Sequence, residues 1–303
     1  MKKRYKVIII VLAFIFVSNS IATKIIYDSV FKRYDHDYTE ELSQTEKYSE
    51  FISSRDSLLI PEGKDTLQAY FYDCEEEKGL VVMAPGVHSG ADVFVPVAYS
   101  FCLNGYDVLA FDPLGSVGST GKSLKGFSQE IFDLDAVLDY AESNYPGEDI
   151  YLFGHSRGGF AVCGELDSDH DIKAAVAVSA HNTAMDAIIS YSARYVGEFA
   201  NANWPSLWAY QAMIFGPSVV NIRADRIIES SSIPVMIVQG SEDKTAPAKK
   251  YSLYSKRSNI GRDGVTYYFS EEEGKNGHTD IMFDGEDANS KLMDSIFDFF
   301  EEN

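Results

Sequence analysis

The amino-acid sequence predicts an α/β domain built on a mostly parallel β-sheet. Short runs of continuously apolar residues recur along the chain, as expected of strands buried on both faces of such a sheet. The runs are Leu58–Ile60, Leu67–Tyr72, Leu80–Ala84, Val108–Phe111, Ile150–Phe153, Ile172–Val178, Val235–Val238 and Val265–Phe269. Segments with apolar residues at helical spacing separate the later runs, and this alternation is typical of crossovers between parallel strands. The two earliest runs have no helix between them, which predicts an antiparallel pair at one edge.

Residues 1–26 have the features of a secretory signal peptide or of an N-terminal membrane anchor. Basic side chains at the start precede an apolar run, Val7–Val17, and small residues follow near Ala22. This run is short for a membrane span of about 20 residues, but the residues up to Ile26 can extend it, because Lys24 can reach the interface. Both interpretations stay open. Under both, the basic residues predict that the rest of the chain is exported, either secreted or attached to the membrane by this segment.

The remaining chain divides into a polar segment and one large domain. Residues 27–53 are polar without a clean period, which predicts a stalk or a short lead-in packed on the domain surface. Residues 54–303 form the domain. Within it, residues 181–232 break the alternation of strands and helices and contain both tryptophans, Trp204 and Trp208. This insertion is either a long helical connection with its own core or a cap that lines an apolar pocket at the mouth of the sheet.

Charge and residue spacing exclude several classes of partner. The net charge of −20 argues against nucleic acid, because like charges repel. Gly121-Lys122-Ser123 resembles the end of a phosphate-binding loop, but Ser116 stands where that motif requires glycine. No group of histidine, cysteine and acidic residues has the spacing of metal ligands. We therefore predict no metal and no cofactor.

The three cysteines, Cys74, Cys102 and Cys163, predict no disulfide framework. Their number is odd and none of them is in CxxC spacing. Cys102 and Cys163 fall inside apolar stretches, which predicts buried side chains that behave as small hydrophobic residues.

The strongest chemical motif is Gly154-His155-Ser156-Arg157-Gly158, which follows the G-x-S-x-G pattern. A serine hydroxyl is a poor nucleophile unless an imidazole takes its proton and a third group orients that imidazole. The glycines allow a tight turn from a strand to a helix, with the serine at its apex. A strand run ends at Gly154 and a helical pattern begins just after Ser156, so the context predicts that Ser156 is a nucleophile.

With this motif in this context, the chain resembles the α/β-hydrolases from about Ser54 to its C-terminus. Its pattern is most similar to the group of esterases, lysophospholipases and serine aminopeptidases with a helical cap. Asp112–Ser119 also resembles a turn of these proteins, although Leu114 stands where arginine is usual. The resemblance implies a mostly parallel eight-stranded sheet flanked by helices, with a helical cap insertion. It also implies a catalytic triad in the chain order serine, acid, histidine.

This implied order selects the base and the acid of the triad. Of the six histidines, only His278 follows the candidate acids, in a loop before the last helical pattern. The acid is expected just after the penultimate strand, where the family's G-x-x-D pattern matches Gly240 and Asp243. Glu242 is adjacent and chemically competent, so it stays a rival for the same role.

The tetrahedral intermediate of acyl transfer also needs N–H donors for its oxyanion. One donor is expected from the amide of Arg157, which follows the nucleophile at the positive end of a helix. The resemblance places the other at Val87, after the glycine of what is usually a His-Gly pair, although Pro85 replaces that histidine here. His88 and His181 are further candidates for contact with the substrate, because they lie in loops at the mouth of the sheet.

Together these residues predict a serine hydrolase that cleaves an ester, thioester or amide bond. A carboxylesterase or a lysophospholipase-like enzyme is favoured, and its substrate would be a small acyl ester. The first alternative is a peptidase of the same fold that acts on short peptides. Such an enzyme would usually need an acidic residue in the cap, for which Glu198 and Asp225 are available. The second alternative is a binding module that has lost its chemistry.

Overall fold

The computed structural model describes residues 2–37, 42, 45–74 and 78–303. Its strands are β1 (Asp56–Glu62), β2 (Asp65–Tyr72), β3 (Leu80–Ala84), β4 (Asp107–Phe111), β5 (Ile150–His155), β6 (Ile172–Val178), β7 (Val235–Gly240), β8 (Val265–Ser270), β9 (Phe283–Asp284) and β10 (Asp287–Ala288). Its α-helices are α1 (Lys2–Val30), α2 (Glu46–Ser54), α3 (Val95–Leu103), α4 (Gln129–Asn144), α5 (Arg157–Glu165), α6 (Ala184–Val196), α7 (Trp204–Phe215), α8 (Pro217–Val220), α9 (Ala224–Ser230) and α10 (Ser290–Glu301).

Eight strands form one sheet in the order β1-β2-β4-β3-β5-β6-β7-β8. β2 is antiparallel to both of its neighbours, β1 and β4, whereas all other adjacent strands are parallel. The predicted α/β class, the mostly parallel eight-stranded sheet and the antiparallel edge pair are therefore confirmed. Helices α6 to α9 lie between β6 and β7, in the part of the chain where the cap insertion was predicted.

Two apolar layers cover the sheet, because its central strands are buried on both faces. Every residue of β3 and β5 is buried. Val82 and Leu152 belong to one layer with Leu134 of α4, and Phe153 belongs to the other with Phe101 of α3. Burial of each such side chain contributes roughly 1.5–3 kcal/mol. The packing fixes the parallel strands so that their carboxyl ends meet at one edge, where open α/β sheets bind ligands.

The N-terminal segment is packed against the domain. Tyr27 in α1 and Phe31 just after it are buried in a cluster with Ile188 of α6. The guanidinium of Arg33 donates hydrogen bonds to three backbone carbonyls of the loop after β4, those of Val117, Ser119 and Gly121. The beginning of α1 instead exposes apolar side chains, which include Ile9 and Phe14.

None of the helices among the described residues has the length and apolar content that crossing a membrane requires.

One of the two predictions about buried cysteines is wrong. Cys163 is free and buried in α5, as predicted. Cys102 is joined to Cys74 by a disulfide bond, and the two Cα atoms are 5.1 Å apart, within the usual range for such bonds. The bond ties the chain after β2 to α3. The two cysteines are separated by 28 positions, and the pairing depends on the fold rather than on any local spacing.

Replacement of both Cys74 and Cys102 with alanine should lower the free energy of unfolding by about 3 kcal/mol, because the bond closes a long loop in the unfolded chain. Chemical denaturation of the oxidised proteins measures this difference. A reductant should destabilise the wild type and leave the double variant unchanged. Equal stability of the two oxidised proteins, or three titratable thiols in the denatured but unreduced wild type, would contradict the disulfide.

Candidate active site

Ser156 lies on a sharp turn between β5 and α5. Its dihedral angle φ is 56°, in the left-handed region that residues with a side chain rarely adopt, and such strain is concentrated at functional sites. A Cβ atom on Gly158 would lie 2.0 Å from the carbonyl oxygen of Ala84, and one on Gly154 would lie 2.4 Å from the carbonyl oxygen of Gly158. The turn therefore requires both glycines of the sequence motif.

Three side chains from three separate loops meet at this turn. The Oγ of Ser156 lies 2.9 Å from Nε2 of His278, and Nδ1 of His278 lies 2.8 Å from Oδ2 of Asp243. Asp243 follows β7 and His278 follows β8, so both come from the same edge of the sheet as Ser156. Glu242, the rival acid, is exposed to solvent. The structure thus brings Asp243, rather than Glu242, to His278.

The surroundings of Asp243 keep its carboxylate ionised. Burial by itself raises the pKa of this group, but the hydrogen bonds from His278 and from the amides of Ala246 and Thr245 outweigh burial and hold the pKa below its usual value. The two amide N–H groups donate to Oδ1 at 2.8 and 2.7 Å, and the Gln239 amide donates to Oδ2 at 3.2 Å. An ionised acceptor keeps the hydrogen of His278 on Nδ1 and leaves Nε2 free to accept a proton.

His155, directly before the serine, contacts His278 from the interior of the domain. Its Nε2 lies 2.9 Å from the backbone carbonyl oxygen of His278. Burial and the nearby His278 ring lower the pKa of His155 to about 3, so the imidazole is neutral and donates its Nε2 hydrogen to that carbonyl. Sequence reasoning missed this contact, because the motif allows any residue at this place and the partner lies in a distant loop.

The two residues predicted to supply oxyanion donors are Arg157 and Val87. The N–H group of Arg157 is the first of α5, and the first N–H groups of a helix have no partner within that helix. Val87 lines the same cavity as Ser156, next to Gly86. Arg157 is therefore adjacent to the nucleophile in the chain, and Val87 shares its cavity.

The two histidines predicted to contact the substrate have different positions. His88 lines the cavity in front of the serine. His181 is buried instead, and its Nε2 donates to the carbonyl oxygen of Thr245 at 3.1 Å. Burial lowers the pKa of His181 to about 4, so this imidazole is a neutral donor that supports the loop after Asp243. The structure gives His181 a place beneath the cavity wall rather than on it.

The side chain of Arg157 is fully buried beside two carboxyl groups of α4. Its guanidinium lies 2.9 Å from Glu130, which is equally buried, and donates to the carbonyl oxygen of Phe127 at 3.2 Å. Burial raises the pKa of Glu130 to about 8 and the pKa of Asp133 to about 6, although the charge of Arg157 opposes both shifts. One guanidinium balances one carboxylate, so Glu130, which has the higher pKa, retains its proton near neutral pH, whereas Asp133 is ionised. This cluster attaches the first turn of α5 to α4.

A cavity of about 690 Å³ opens in front of Ser156. From the helices between β6 and β7 it receives Tyr191 and Arg194, both in α6. Trp204 and Trp208 line a separate cavity of about 410 Å³. The hypothesis that the insertion lines the substrate pocket with its aromatic residues is therefore wrong for the two tryptophans.

The segment predicted as a stalk or lead-in supplies another wall of this cavity. Leu42, Thr45 and Tyr48 line it. The Tyr48 hydroxyl donates to the carboxylate of Asp287 at 2.7 Å, and the Thr45 hydroxyl lies 3.3 Å from the carboxylate of Glu286. The segment is thus attached to the hairpin of β9 and β10. Sequence reasoning missed these residues, because their polar composition shows no period and their partners lie at the far end of the chain.

One group of described residues outside this cavity brings metal-ligating side chains together: Asp135, Glu165 and His170. The two ring nitrogens of His170 face the carboxylates of Glu142 at 3.1 Å and Asp135 at 3.3 Å. Burial lowers the pKa of His170, but the hydrogen bonds to Glu142 and Asp135 outweigh burial and raise it. The contacts of this imidazole with the two carboxylates account for the group.

Comparison with known protein families agrees with this geometry. Residues 75–226, half of the chain, match the Hydrolase_4 family, whose description is serine aminopeptidase, S33. No curated protein matches the chain significantly.

Several solved structures share the fold. An esterase of Pyrococcus furiosus matches with a TM-score of 0.66 and 19% identity, over 90% of this chain and 98% of that chain. Est1E from Butyrivibrio proteoclasticus, with ferulic acid bound, matches with a TM-score of 0.59 and 19% identity, over 81% and 98% of the two chains. The thioesterase domain from the curacin biosynthetic pathway matches with a TM-score of 0.55 and 15% identity, over 80% of this chain and 99% of that domain's chain. Together with the family match, this fold shows that the chain belongs to the serine aminopeptidase S33 family of the α/β-hydrolase superfamily.

Proposed function

We propose that this protein is a serine hydrolase that cleaves carboxylic esters through an acyl-enzyme on Ser156. The observation that carries the proposal is the continuous relay of hydrogen bonds from Ser156 to His278 at 2.9 Å and from His278 to Asp243 at 2.8 Å. Both separations are hydrogen-bond distances, and the first allows the proton of Ser156 to move to His278. An imidazole held in this way takes the serine proton as the serine oxygen attacks a carbonyl carbon.

In the first half-reaction, the Ser156 oxygen bonds to the carbonyl carbon and its proton moves to Nε2 of His278. The carbonyl oxygen becomes an oxyanion, which accepts hydrogen bonds from the amides of Val87 and Arg157. Loss of one such donor typically costs a factor of about 10²–10³ in rate. The bond to the alcohol oxygen then breaks, and the alcohol leaves with the proton from His278. In the second half-reaction His278 takes a proton from water, whose oxygen attacks the acyl carbon. His278 then returns this proton to the Ser156 oxygen as the bond to the acyl carbon breaks and the carboxylic acid leaves.

Ester cleavage is favoured over peptide cleavage by the position of one acid between β6 and β7. Asp225, an available partner for a peptide amino terminus, is buried and paired with Arg223 at 2.7 Å and Asn259 at 2.7 Å. The side chain of Glu198, the other available acid, lies outside the described residues. The neighbour from Pyrococcus furiosus is named an esterase. Peptide cleavage stays the alternative, because the description of the family is serine aminopeptidase.

We also propose that the enzyme works outside the cytoplasm, either secreted or attached to the membrane by its first 26 residues. The basic residues that precede the apolar run support export. The disulfide between Cys74 and Cys102 supports it as well, because such bonds persist in oxidising compartments and are rare in the cytosol.

A fluorophosphonate probe, which reacts with activated serines, tests the central proposal. The wild type should be labelled and Ser156→Ala should not. Ser218→Ala, which removes an exposed hydroxyl, is the control and should be labelled like the wild type. Equal labelling of the wild type and Ser156→Ala would contradict the assignment of the nucleophile. Absence of labelling in both would favour a binding module.

The same proteins separate the remaining alternatives. We expect turnover of p-nitrophenyl butyrate and none of aminoacyl-anilides, and the reverse pattern would favour the peptidase. A membrane-impermeant form of the probe, applied to intact cells, should label the exported enzyme at Ser156. Labelling only after the cells are opened would contradict export.

A further inference from the structure

The cavity in front of Ser156 contains a single lysine or arginine among its described lining residues, Arg194 of α6. The chain as a whole has a net charge of −20, so its overall field repels anions. Glu286 is the one acidic side chain among the same lining residues, and it belongs to the wall that contains Thr45. The wall formed by α6 therefore carries a local positive charge.

Neighbouring residues hold the guanidinium of Arg194 at this wall. It donates a hydrogen bond to the hydroxyl of Thr245. It also lies 5.5 Å from the centre of the Tyr191 ring, a distance at which a cation is attracted to the face of an aromatic ring. A guanidinium has five N–H donors, and the bond to Thr245 uses one of them. The side chain is exposed on the cavity side, so further donors can reach a ligand.

Thr245 connects this cation to the proposed catalytic groups. Its backbone N–H donates to the carboxylate of Asp243 at 2.7 Å. Its carbonyl oxygen accepts hydrogen bonds from the Ser190 hydroxyl at 2.6 Å and from His181 at 3.1 Å. Thr245 is thus fixed from α6 on one side and from the acid of the relay on the other. The charge of Arg194 is therefore attached to the loop that carries the acid of the relay.

We propose that Arg194 binds a carboxylate of the substrate, so that the preferred substrates are esters with a second, negatively charged group. The inference rests on the proposed ester hydrolysis at Ser156. A guanidinium presents paired N–H donors that match the geometry of a carboxylate, and such charge-assisted bonds are stronger than neutral ones. Because the overall field of the protein repels anions, recognition of a carboxylate has to come from a local cation.

The test compares matched neutral and carboxylate-bearing esters with the full-length enzyme. One pair differs in the acyl chain, p-nitrophenyl pentanoate against mono-p-nitrophenyl glutarate. The other differs in the leaving group, phenyl acetate against 4-acetoxybenzoate. We expect the wild type to have the higher kcat/KM for the charged member of at least one pair. Arg194→Gln should lower that value by about tenfold or more, mainly through KM, because a charge-assisted bond is lost, and should lower kcat/KM for the neutral esters far less.

Two further variants control for charge and for geometry. Arg194→Lys keeps the charge without the paired donors and should retain part of the preference. Arg226→Gln removes the same charge from an exposed position on α9 and should leave kcat/KM for all four esters unchanged.

Preference of the wild type for the neutral member of both pairs would overturn the inference. Equal loss by Arg194→Gln on charged and neutral esters would overturn it as well. In both cases, turnover of the neutral esters would leave the proposed function standing. Absence of turnover on all four esters would overturn the proposed function together with the inference.

Discussion

Replacement of Asp243 with asparagine is expected to lower kcat by a factor of about 10⁴ without unfolding the protein. The carboxylate accepts the Nδ1 hydrogen of His278 at 2.8 Å, whereas an amide at this place can donate a hydrogen to Nδ1. The imidazole would then carry its own hydrogen on Nε2 and would no longer accept the proton of Ser156. Hydrolysis of p-nitrophenyl butyrate at neutral pH measures the loss.

Glu242→Gln is the matched control for this variant. It makes the same chemical change at the next residue, whose side chain is exposed, and it should keep the activity of the wild type. Full activity of Asp243→Asn, with a large loss in Glu242→Gln, would instead assign the acid of the relay to Glu242.

Replacement of Glu130 with alanine is expected to lower the free energy of unfolding by about 2–5 kcal/mol. The change removes a fully buried carboxyl group that lies 2.9 Å from the guanidinium of Arg157, and it leaves a cavity beside a buried charge. Because Arg157 begins α5 and follows the nucleophile, we expect activity to fall together with stability. Chemical denaturation measures the change in unfolding free energy.

The conservative variant Glu130→Gln separates packing from charge through its dependence on pH. Burial raises the pKa of Glu130 from its usual value of 4.5 to about 8, so the folded protein binds this proton more tightly than the unfolded chain does. The stabilisation from this proton is complete below pH 4.5, the usual pKa, and is lost as the pH rises towards about 8, the pKa in the folded protein. The wild type should therefore lose stability over this interval relative to Glu130→Gln, which does not ionise. A constant difference between the two proteins across the interval would contradict the raised pKa.

Those parts of the fold and the site that depend on local residue types could be predicted from the sequence. Strands buried on both faces require continuous apolar runs, and the turn at Ser156 requires glycine at 154 and 158, so both leave a pattern. Chain order, taken from the family resemblance, then pointed to His278 and Asp243, and these two side chains lie next to each other in the structure.

Contacts between distant segments could not be predicted in this way. Tyr48 lines the cavity because its hydroxyl bonds to Asp287 near the other end of the chain, and a polar segment without a period gives no sign of such a partner. The Cys74–Cys102 disulfide and the contact between His155 and His278 also join segments that are distant in the sequence. In each case the partner is chosen by the way the elements pack, which one sequence does not reveal.

Contacts at the end of the N-terminal helix hold it in one orientation relative to the hydrolase core. Tyr27, near the end of α1, is buried together with Phe31, and Arg33 is bonded to the loop after β4. The exposed apolar side chains at the start of α1, such as Ile9, therefore belong to an arm of fixed direction. Any surface that receives this arm also sets the direction in which the cavity of Ser156 opens.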